Sequence, residues 1–382
     1  MKDSAKTYTY TNLFKVAERL RSDILDLDSV ILFAYNGTGK TRLSMAFKDK
    51  GKKKNHGKPD TLYFNAFTED LFYWDNDLDN DTRRILRINE KSSFFKGLKE
   101  LSIEEKVFNH LERYADFNFR INYEDWSIIF RKTVPNPKYN PRNPDNTEPE
   151  TIELENIKIS RGEENIFVFC IFLAICELVI EGNEAYNWVK YIYIDDPISS
   201  LDENNAITVS TDLSNLIKSG LDKPENEKVK FIVSTHHGLF FNVMYHELTK
   251  NRKSYFLHKN NDGKYRLQST EDTPFFHHVA SLCELQKAHS PGKASTYHFN
   301  MLRSVLEKTS AFFGYDNFSH CIKGVEDEVL FDRALNIMSH GRYSIFNPVK
   351  MEDDTQDLFD RILDSFLEKY DFALPALFKE TK

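Results

Sequence analysis

The stretch AYNGTGKT, Ala34 to Thr41, follows the apolar run SVILF and precedes the helical pattern RLSMAF. A strand, a glycine-rich turn and a helix N-terminus in that order bring successive backbone N–H groups together, and such a nest accepts phosphate oxygens. Asn36, Gly37, Thr38, Gly39 and Arg42 are then candidate nucleotide contacts, Lys40 supplies a cation, and the Thr41 hydroxyl reaches Mg²⁺. The loop departs from the usual pattern where Ala34 stands in place of the first glycine.

A loop of this kind needs an α/β sheet around it. SVILFAY (Ser29–Tyr35), DTLYFNAF (Asp60–Phe67), VKYIYIDD and KVKFIVSTHH read as buried strands bounded by polar residues. ENIFVFCIFLAICELVIEG, from Glu164 to Gly182, predicts a long apolar helix stopped by its glycine. Strands separated by helices predict an α/β class. Five prolines between Pro135 and Pro149 predict an exposed loop or insertion over 133–150. Beyond about residue 270 helical periodicity takes over, which predicts one domain over 1–270 and a mainly α-helical domain over 271–382.

Composition narrows the class. No stretch approaches the roughly 18 apolar residues of a membrane span, and Met1 to Asn12 lacks the apolar run of a signal peptide. Cys170, Cys176, Cys283 and Cys321 lie among apolar neighbours without metal-type spacing, so a reducing cytoplasm is expected. The net charge of −8 argues against a coat of nucleic acid and leaves a local basic patch open. The lysine-dense FKDKGKKKNHGK (Phe47–Lys58) reads as a solvated loop or as such a patch.

In YIYIDD, Asp195 is placed to hold Mg²⁺ through water and Asp196 to orient or deprotonate an attacking water. The plainer alternative is two acids opening a turn before Pro197. PISSLD follows at once, FIVSTHH lies about forty residues on, and ISRGEE stands before the apolar helix. That order of motifs resembles the ABC-type ATPase heads, including those of chromosome maintenance and DNA repair. The resemblance implies that Ser160, Arg161, Gly162 and Glu163 form a signature motif closing the nucleotide site of a second subunit, head to tail. It implies also that SSLD is a D-loop and that His236 senses the γ-phosphate. Asp196 replaces the usual glutamate with a carboxylate one methylene shorter, and no glutamine of the usual Q-loop is evident.

In YHFNMLRSVLEKTSAFFG (Tyr297–Gly314), Arg303 and Glu307 share one helix face, which by itself is an ordinary ion pair. DRALNIMSHGRYS adds His340 near the end of another helical pattern, where a lone histidine is usually an end-charge. Together an arginine, a glutamate and a histidine suffice to cleave RNA through its own 2′-OH, with proton transfer at His340, Glu307 sharing that work or holding the arginine in place, and Arg303 on the phosphate. AYNGTGKTRLS, YFNAFTEDLFYWDND, STHH, LRSVLE and LNIMSHG together resemble the PrrC-type anticodon nucleases. The resemblance implies an NTPase head using ATP, GTP or dTTP with Mg²⁺, and a C-terminal nuclease with the triad Arg303, Glu307 and His340. It implies cleavage in the tRNA anticodon loop to a 2′,3′-cyclic phosphate and a 5′-OH. It implies antiphage defence, with silencing by a partner such as a type I restriction–modification complex. The nuclease domain of that family is grouped with HEPN ribonucleases, which carry an Arg a short spacing before a His; Arg333 stands so before His340. The aromatics of NAFTEDLFYWDNDL read as core. The tail from Met351, with nine acids and four bases, reads as an amphipathic helix packed on its own domain.

Two other readings compete. A defence ATPase of the PtuA kind, serving a separate nuclease subunit, would use the C-terminal helices for interaction and the Arg303–Glu307 pair structurally. A chromosome-associated ATPase would need long heptad coiled coils, and no sustained heptad run is present.

Overall fold

The computed structural model describes residues 7–65, 72–76, 84–89, 103–139, 147–197, 203–221, 223–224, 228–259, 263–271, 281–282, 285–286, 288–289, 294, 296–322 and 353–370. In chain order the elements begin with β1 (Thr7–Tyr10), α1 (Leu13–Asp26), β2 (Ser29–Phe33), α2 (Lys40–Lys54), β3 (Thr61–Asn65), β4 (Phe72–Asn76), β5 (Arg84–Ile88) and α3 (Ile103–Leu111). Next come β6 (Asn118–Asn122), β7 (Ser127–Pro135), β8 (Thr151–Glu155), α4 (Arg161–Glu181), β9 (Tyr191–Asp195) and α5 (Glu203–Leu221). The last are β10 (Lys230–Thr235), α6 (Gly238–Glu247), β11 (Arg252–Lys259), β12 (Tyr265–Ser269), α7 (Thr296–Phe313) and α8 (Asp353–Lys369). The chain forms two compact units. The larger holds Leu13–Leu32 and Thr41–Lys253; the smaller holds Met1–Asn12, Phe33–Lys40 and Ser254–Lys382.

In the larger unit the strands run in the order β2-β10-β9-β3, with β10 and β3 both parallel to β9. The expected strand segments lie here. Ile192, Tyr193, Ile194 and Phe231, Ile232, Val233 are all fully buried, as parallel strands covered on both faces require. Register sets Asn65 and Ser234 each level with Asp195, so three polar side chains meet at the carboxyl ends of adjacent strands. That edge is where open α/β sheets take ligands.

A second sheet, β4-β5-β7-β6 with β8 on β7, is antiparallel and has no counterpart among the strands read from the sequence. Rings hold it to α4: Phe119 and Phe130 each pack edge-on to Phe167, at 4.9 and 5.0 Å between centroids. Of the aromatics read as core, Phe72 is buried and Trp74 packs 6.1 Å from Phe130, but Tyr73 is exposed. The proline-rich segment begins later than expected, because Thr133 to Pro135 complete β7 and Pro135 pairs with Thr151 of β8. Proline is tolerated at such a strand end.

The lysine-dense segment corrects a second expectation: through Lys54 it is helix rather than loop. Lysine is a good helix former, and Lys52 to Lys54 suit the negative C-terminal end of the helix dipole. Phe47 anchors it, fully buried, with the Arg21 guanidinium 4.0 Å over its ring. Arg21 is itself buried, donating to Asp60 Oδ2 at 2.9 Å, Asp60 Oδ1 at 3.0 Å, Thr61 Oγ1 at 3.1 Å and Phe47 O at 2.8 Å. A Cβ at Gly51 would lie 2.0 Å from Asp60 Oδ1 and 2.2 Å from Arg21 Nη2, so only glycine admits the pair.

The smaller unit carries the antiparallel strands β1-β12-β11, with Thr7 opposite Gln268 and Tyr255 opposite Ser269. Its helices share one apolar core, in which Phe299, Leu302 and Leu306 of α7 meet Phe359, Ile362, Leu363 and Phe366 of α8. The described part of the acidic tail, Asp353 to Tyr370, thus packs on its own unit, as its periodicity implies. No described helix is long and apolar enough to cross a membrane.

The Arg21–Asp60 pair sets a stability test. Arg21→Ala strands a buried carboxylate and is expected to cost about 3–5 kcal/mol, read as a lower urea midpoint. The double variant Arg21→Met, Asp60→Leu removes both charges and is expected to recover most of that loss.

Candidate functional site

Asp195 is fully buried at the end of β9. Its carboxylate accepts hydrogen bonds from Ser234 Oγ at 2.7 Å, Thr41 Oγ1 at 2.9 Å, Asn65 Nδ2 at 3.2 Å and Tyr63 Oη at 3.3 Å. Burial first, and then the Asp195 charge, push the Tyr63 hydroxyl up to about 12, so it stays a donor across the ordinary pH range. Sequence reading misses Tyr63 and Asn65. The available signal is a polar residue closing the apolar run TLYFN, two places after a tyrosine and on the same strand face.

Asp196 leaves the strand with φ of +47°, a left-handed conformation that aspartate tolerates far better than longer side chains do. Its N–H donates to Ser234 O at 2.7 Å. The turn brings Asp196 Oδ1 to 2.8 Å from both the backbone N–H and the Nδ1 of His236. The residues expected to activate water and to sense phosphate therefore form one hydrogen-bonded pair. This geometry also gives a reason for aspartate where a glutamate is usual.

In the phosphate loop, Gly37 and Gly39 have φ of +80° and +105°, values that a side-chain-bearing residue would adopt only under strain. Lys40 opens α2, and its ammonium reaches two neutral acceptors, Ala34 O at 3.2 Å and Asn36 Oδ1 at 3.3 Å. A phosphate oxygen is a stronger acceptor than either. Arg42 is exposed on the first turn of α2, and Thr38 closes the turn through its N–H on Tyr35 O at 3.2 Å.

The residues fit a magnesium nucleotide. A carboxylate and a hydroxyl are hard oxygen donors, and no described cluster of three or more His, Cys, Asp or Glu could cage a metal alone. A cation at Asp195 and Thr41 would complete its shell with phosphate oxygens and water, as Mg²⁺ does.

ISRGE lies at the helix N-terminus itself, three residues earlier than the expected helix start. Ser160 is the N-cap of α4 in a capping box: Ser160 N–H donates to Glu163 Oε2 at 2.7 Å, and Glu163 N–H to Ser160 Oγ at 3.3 Å. Arg161 is exposed and Gly162 has open space around its Cα, so the positive end of the helix dipole faces outward.

In the smaller unit Arg303 Nε donates to Glu307 Oε1 at 2.7 Å, and the guanidinium lies 5.5 Å over the Phe318 ring. The arginine side chain is 18% exposed and the glutamate 49%. His340, Arg333, the SSLD segment and Cys283 lie outside the described residues.

Removing one donor from the buried Asp195, by Tyr63→Phe or Asn65→Ala, is expected to cost about 1.5–3 kcal/mol in urea titration. Asn65→Asp would set a second carboxylate against the first and raise the pKa of one of them. Stability of that variant is expected to be highest in acid and to fall as pH rises through the raised value, opposite to the usual carboxylate trend.

A family model described as an AAA domain matches residues 150–366, more than half of the chain. The Escherichia coli protein named Anticodon nuclease is 32% identical over 352 residues, covering 82% of this chain and 82% of that protein. A solved SMC head bound to the C-winged helix domain of ScpA aligns with 65% of this chain and 91% of its own, at 12% identity and a TM-score of 0.30, a likeness too slight to bear on the fold. The chain carries an AAA domain and belongs to the PrrC-type anticodon nuclease family.

Proposed function

We propose that this protein is a nucleotide-gated endoribonuclease that cuts tRNA in the anticodon loop. The observation that carries this reading is the Arg303–Glu307 pair on a partly exposed face of α7, in a chain whose relative over most of its length is named an anticodon nuclease. In the proposed reaction the ribose 2′-oxygen attacks the adjacent phosphorus and the bond to the 5′-oxygen breaks. One of Glu307 and His340 takes the 2′-OH proton, and the other gives a proton to the leaving oxygen. Arg303 neutralises the phosphorane. The products are a 2′,3′-cyclic phosphate and a 5′-OH, and the chemistry needs no metal. DNA lacks the 2′-OH and is not a substrate. Arg333, at its HEPN-like spacing before His340, would assist on the phosphate.

The nuclease domain would occupy residues 271–382 and the NTPase domain residues 1–270. ATP, GTP or dTTP with Mg²⁺ would bind the loop from Asn36 to Thr41, Mg²⁺ lending positive charge to the phosphates. Asp195 and Thr41 would hold the ion, with Asn65 supplying the side-chain amide that a Q-loop glutamine usually provides. The bond between Asp196 and His236 supports water activation coupled to phosphate sensing. The helix N-terminus at Ser160 to Glu163, exposed at Ser160 and Arg161, supports closure over the nucleotide of a second copy, in an ABC-type head-to-tail dimer. A toxin of this kind must be held silent in its own cytoplasm. A defence complex such as a type I restriction–modification enzyme would favour the closed-off state of a two-state dimer.

The test is sequencing of RNA ends after induction of the wild type, Arg303→Ala and His340→Ala in cells lacking any silencing complex. Cyclic-phosphate ends within an anticodon loop are expected from the wild type and about 10²- to 10⁴-fold fewer from His340→Ala. Absence of cleavage with NTP hydrolysis intact would overturn the reading in favour of a PtuA-like ATPase that serves a separate nuclease.

A further inference from the structure

The last turn of α7 ends in a way the helical core does not require. Every residue from Ala311 to Asn317 is exposed, and the segment contains Phe312, Phe313 and Tyr315. Phe312 is 84% exposed, Phe313 50% and Tyr315 39%. Three large aromatic side chains in seven exposed residues form a patch, not the scattered single apolar residues of an ordinary surface.

Backbone geometry fixes their arrangement. Gly314, at φ of +73°, ends the helix in the left-handed region. Gly314 N–H donates to Ala311 O at 3.2 Å and Tyr315 N–H to Ser310 O at 2.8 Å, a Schellman closure. That reversal lays the Tyr315 ring against Phe313, with centroids 5.9 Å apart and planes 23° from parallel. Tyr370, just beyond α8, stacks on Phe313 at 5.3 Å and 27°, and His320 stacks on Tyr315 at 5.5 Å and 23°. Four rings thus stand in a near-parallel ladder, Tyr370–Phe313–Tyr315–His320. Phe312 stands edge-on beside it, 5.4 Å from Phe313.

Cations flank the ladder. Lys308 is exposed one turn before Phe312. Lys369 places its ammonium 6.0 Å from the Tyr370 centroid and donates to His320 O at 2.7 Å. Arg303 lies over Phe318, the residue that opens the short 3-10 turn containing His320. At 3.6 residues per turn Phe312 stands about 40° around α7 from Lys308 and about 180° from Arg303, so Phe312 and Lys308 share a face. Stacked rings beside positive charge are what unpaired bases and their phosphates bind, with little regard to sequence.

We propose that Phe312, braced by this ladder and beside Lys308, forms a base-stacking platform for single-stranded RNA, which holds a splayed base of a loop. This rests on the endoribonuclease reading above and adds to it how an open loop is gripped.

The experiment measures binding of the full-length protein to a tRNA anticodon stem-loop bearing 2′-O-methyl groups at every loop nucleotide, which cannot be cut through its 2′ oxygens. Phe312→Ala and Phe312→Leu are each expected to weaken binding about 5- to 100-fold, the loss of one base stack, with an unchanged melting temperature and an unchanged salt slope. Phe312→Trp is expected to retain binding, and Lys308→Ala to make the salt slope shallower. A wild type that binds and cuts the unmodified loop while Phe312→Ala and Phe312→Leu bind equally well overturns the platform and leaves the nuclease reading standing. A wild type that neither binds nor cuts overturns both. Variants that lower the molecular mass in solution without changing RNA affinity would instead assign the rings to an interface between copies of the chain.

Discussion

A carboxylate taken wholly out of water costs several kcal/mol unless its oxygens are met by donors. Asp195 is such a group, and its four donors come from β3, β10 and the first turn of α2. Satisfying it therefore fixes more than one side chain. It requires β3 and β10 to flank β9 in a single register, because Tyr63 and Asn65 share a strand face that a one-residue slip would turn away. It requires α2 to enter beside the strand ends, because Thr41 is its second residue. The same group that makes the edge attractive to a cation thus penalises misassembly of the strands that build that edge.

The turn after Asp195 extends this logic. Asp196 sits at a backbone angle costing of order 1 kcal/mol, and the chain recovers some of that through bonds to Ser234 and His236. A strand that simply continued would send the next carboxylate to the opposite sheet face. The left-handed turn instead aims Asp196 at His236, one residue beyond the end of β10. Strain at this point is matched to a particular pairing, and the pairing joins the two groups whose chemistry a hydrolase would need in concert.

Much of this is legible in the sequence, and the features that are not share a cause. Fully buried strands such as YIYID and KFIVST announce themselves as continuous apolar runs, and α4 announces itself by its length and by Gly182. The antiparallel sheet does not, because β4, β5, β6 and β8 are each only five residues long, β4 and β6 mix exposed with buried positions, and β8 buries none. Asn65 and Asp195 are 130 residues apart, so their contact exists only once register is known. The lysine-dense half of α2 misleads for a different reason: charge density resembles a loop, while the signal that matters is the single buried Phe47 under Arg21. ISRGE reads as a motif rather than as a helix start, although Ser160 and Glu163 stand at capping-box spacing.

The smaller unit shows how the phosphate loop and the helical core share material. Tyr35 immediately precedes Asn36 of the loop, packs edge-on to Phe33 at 5.3 Å and to Phe256 at 5.8 Å, and lies against the core built by α7 and α8. Its hydroxyl is 3.4 Å from Ser281 Oγ. The loop's own closing bond runs from Thr38 N–H to the carbonyl of this same tyrosine. A ligand that reorders Gly37 to Gly39 must act on a peptide whose side chain is wedged among close-packed rings, and close-packed groups shift between discrete arrangements more readily than they deform. The core against which Tyr35 packs also contains Leu302 and Leu306 of α7, the neighbours of Arg303 and Glu307 in the chain. One tyrosine thus belongs to both structures by virtue of its position in the chain: its carbonyl closes the loop and its ring packs on the helical core.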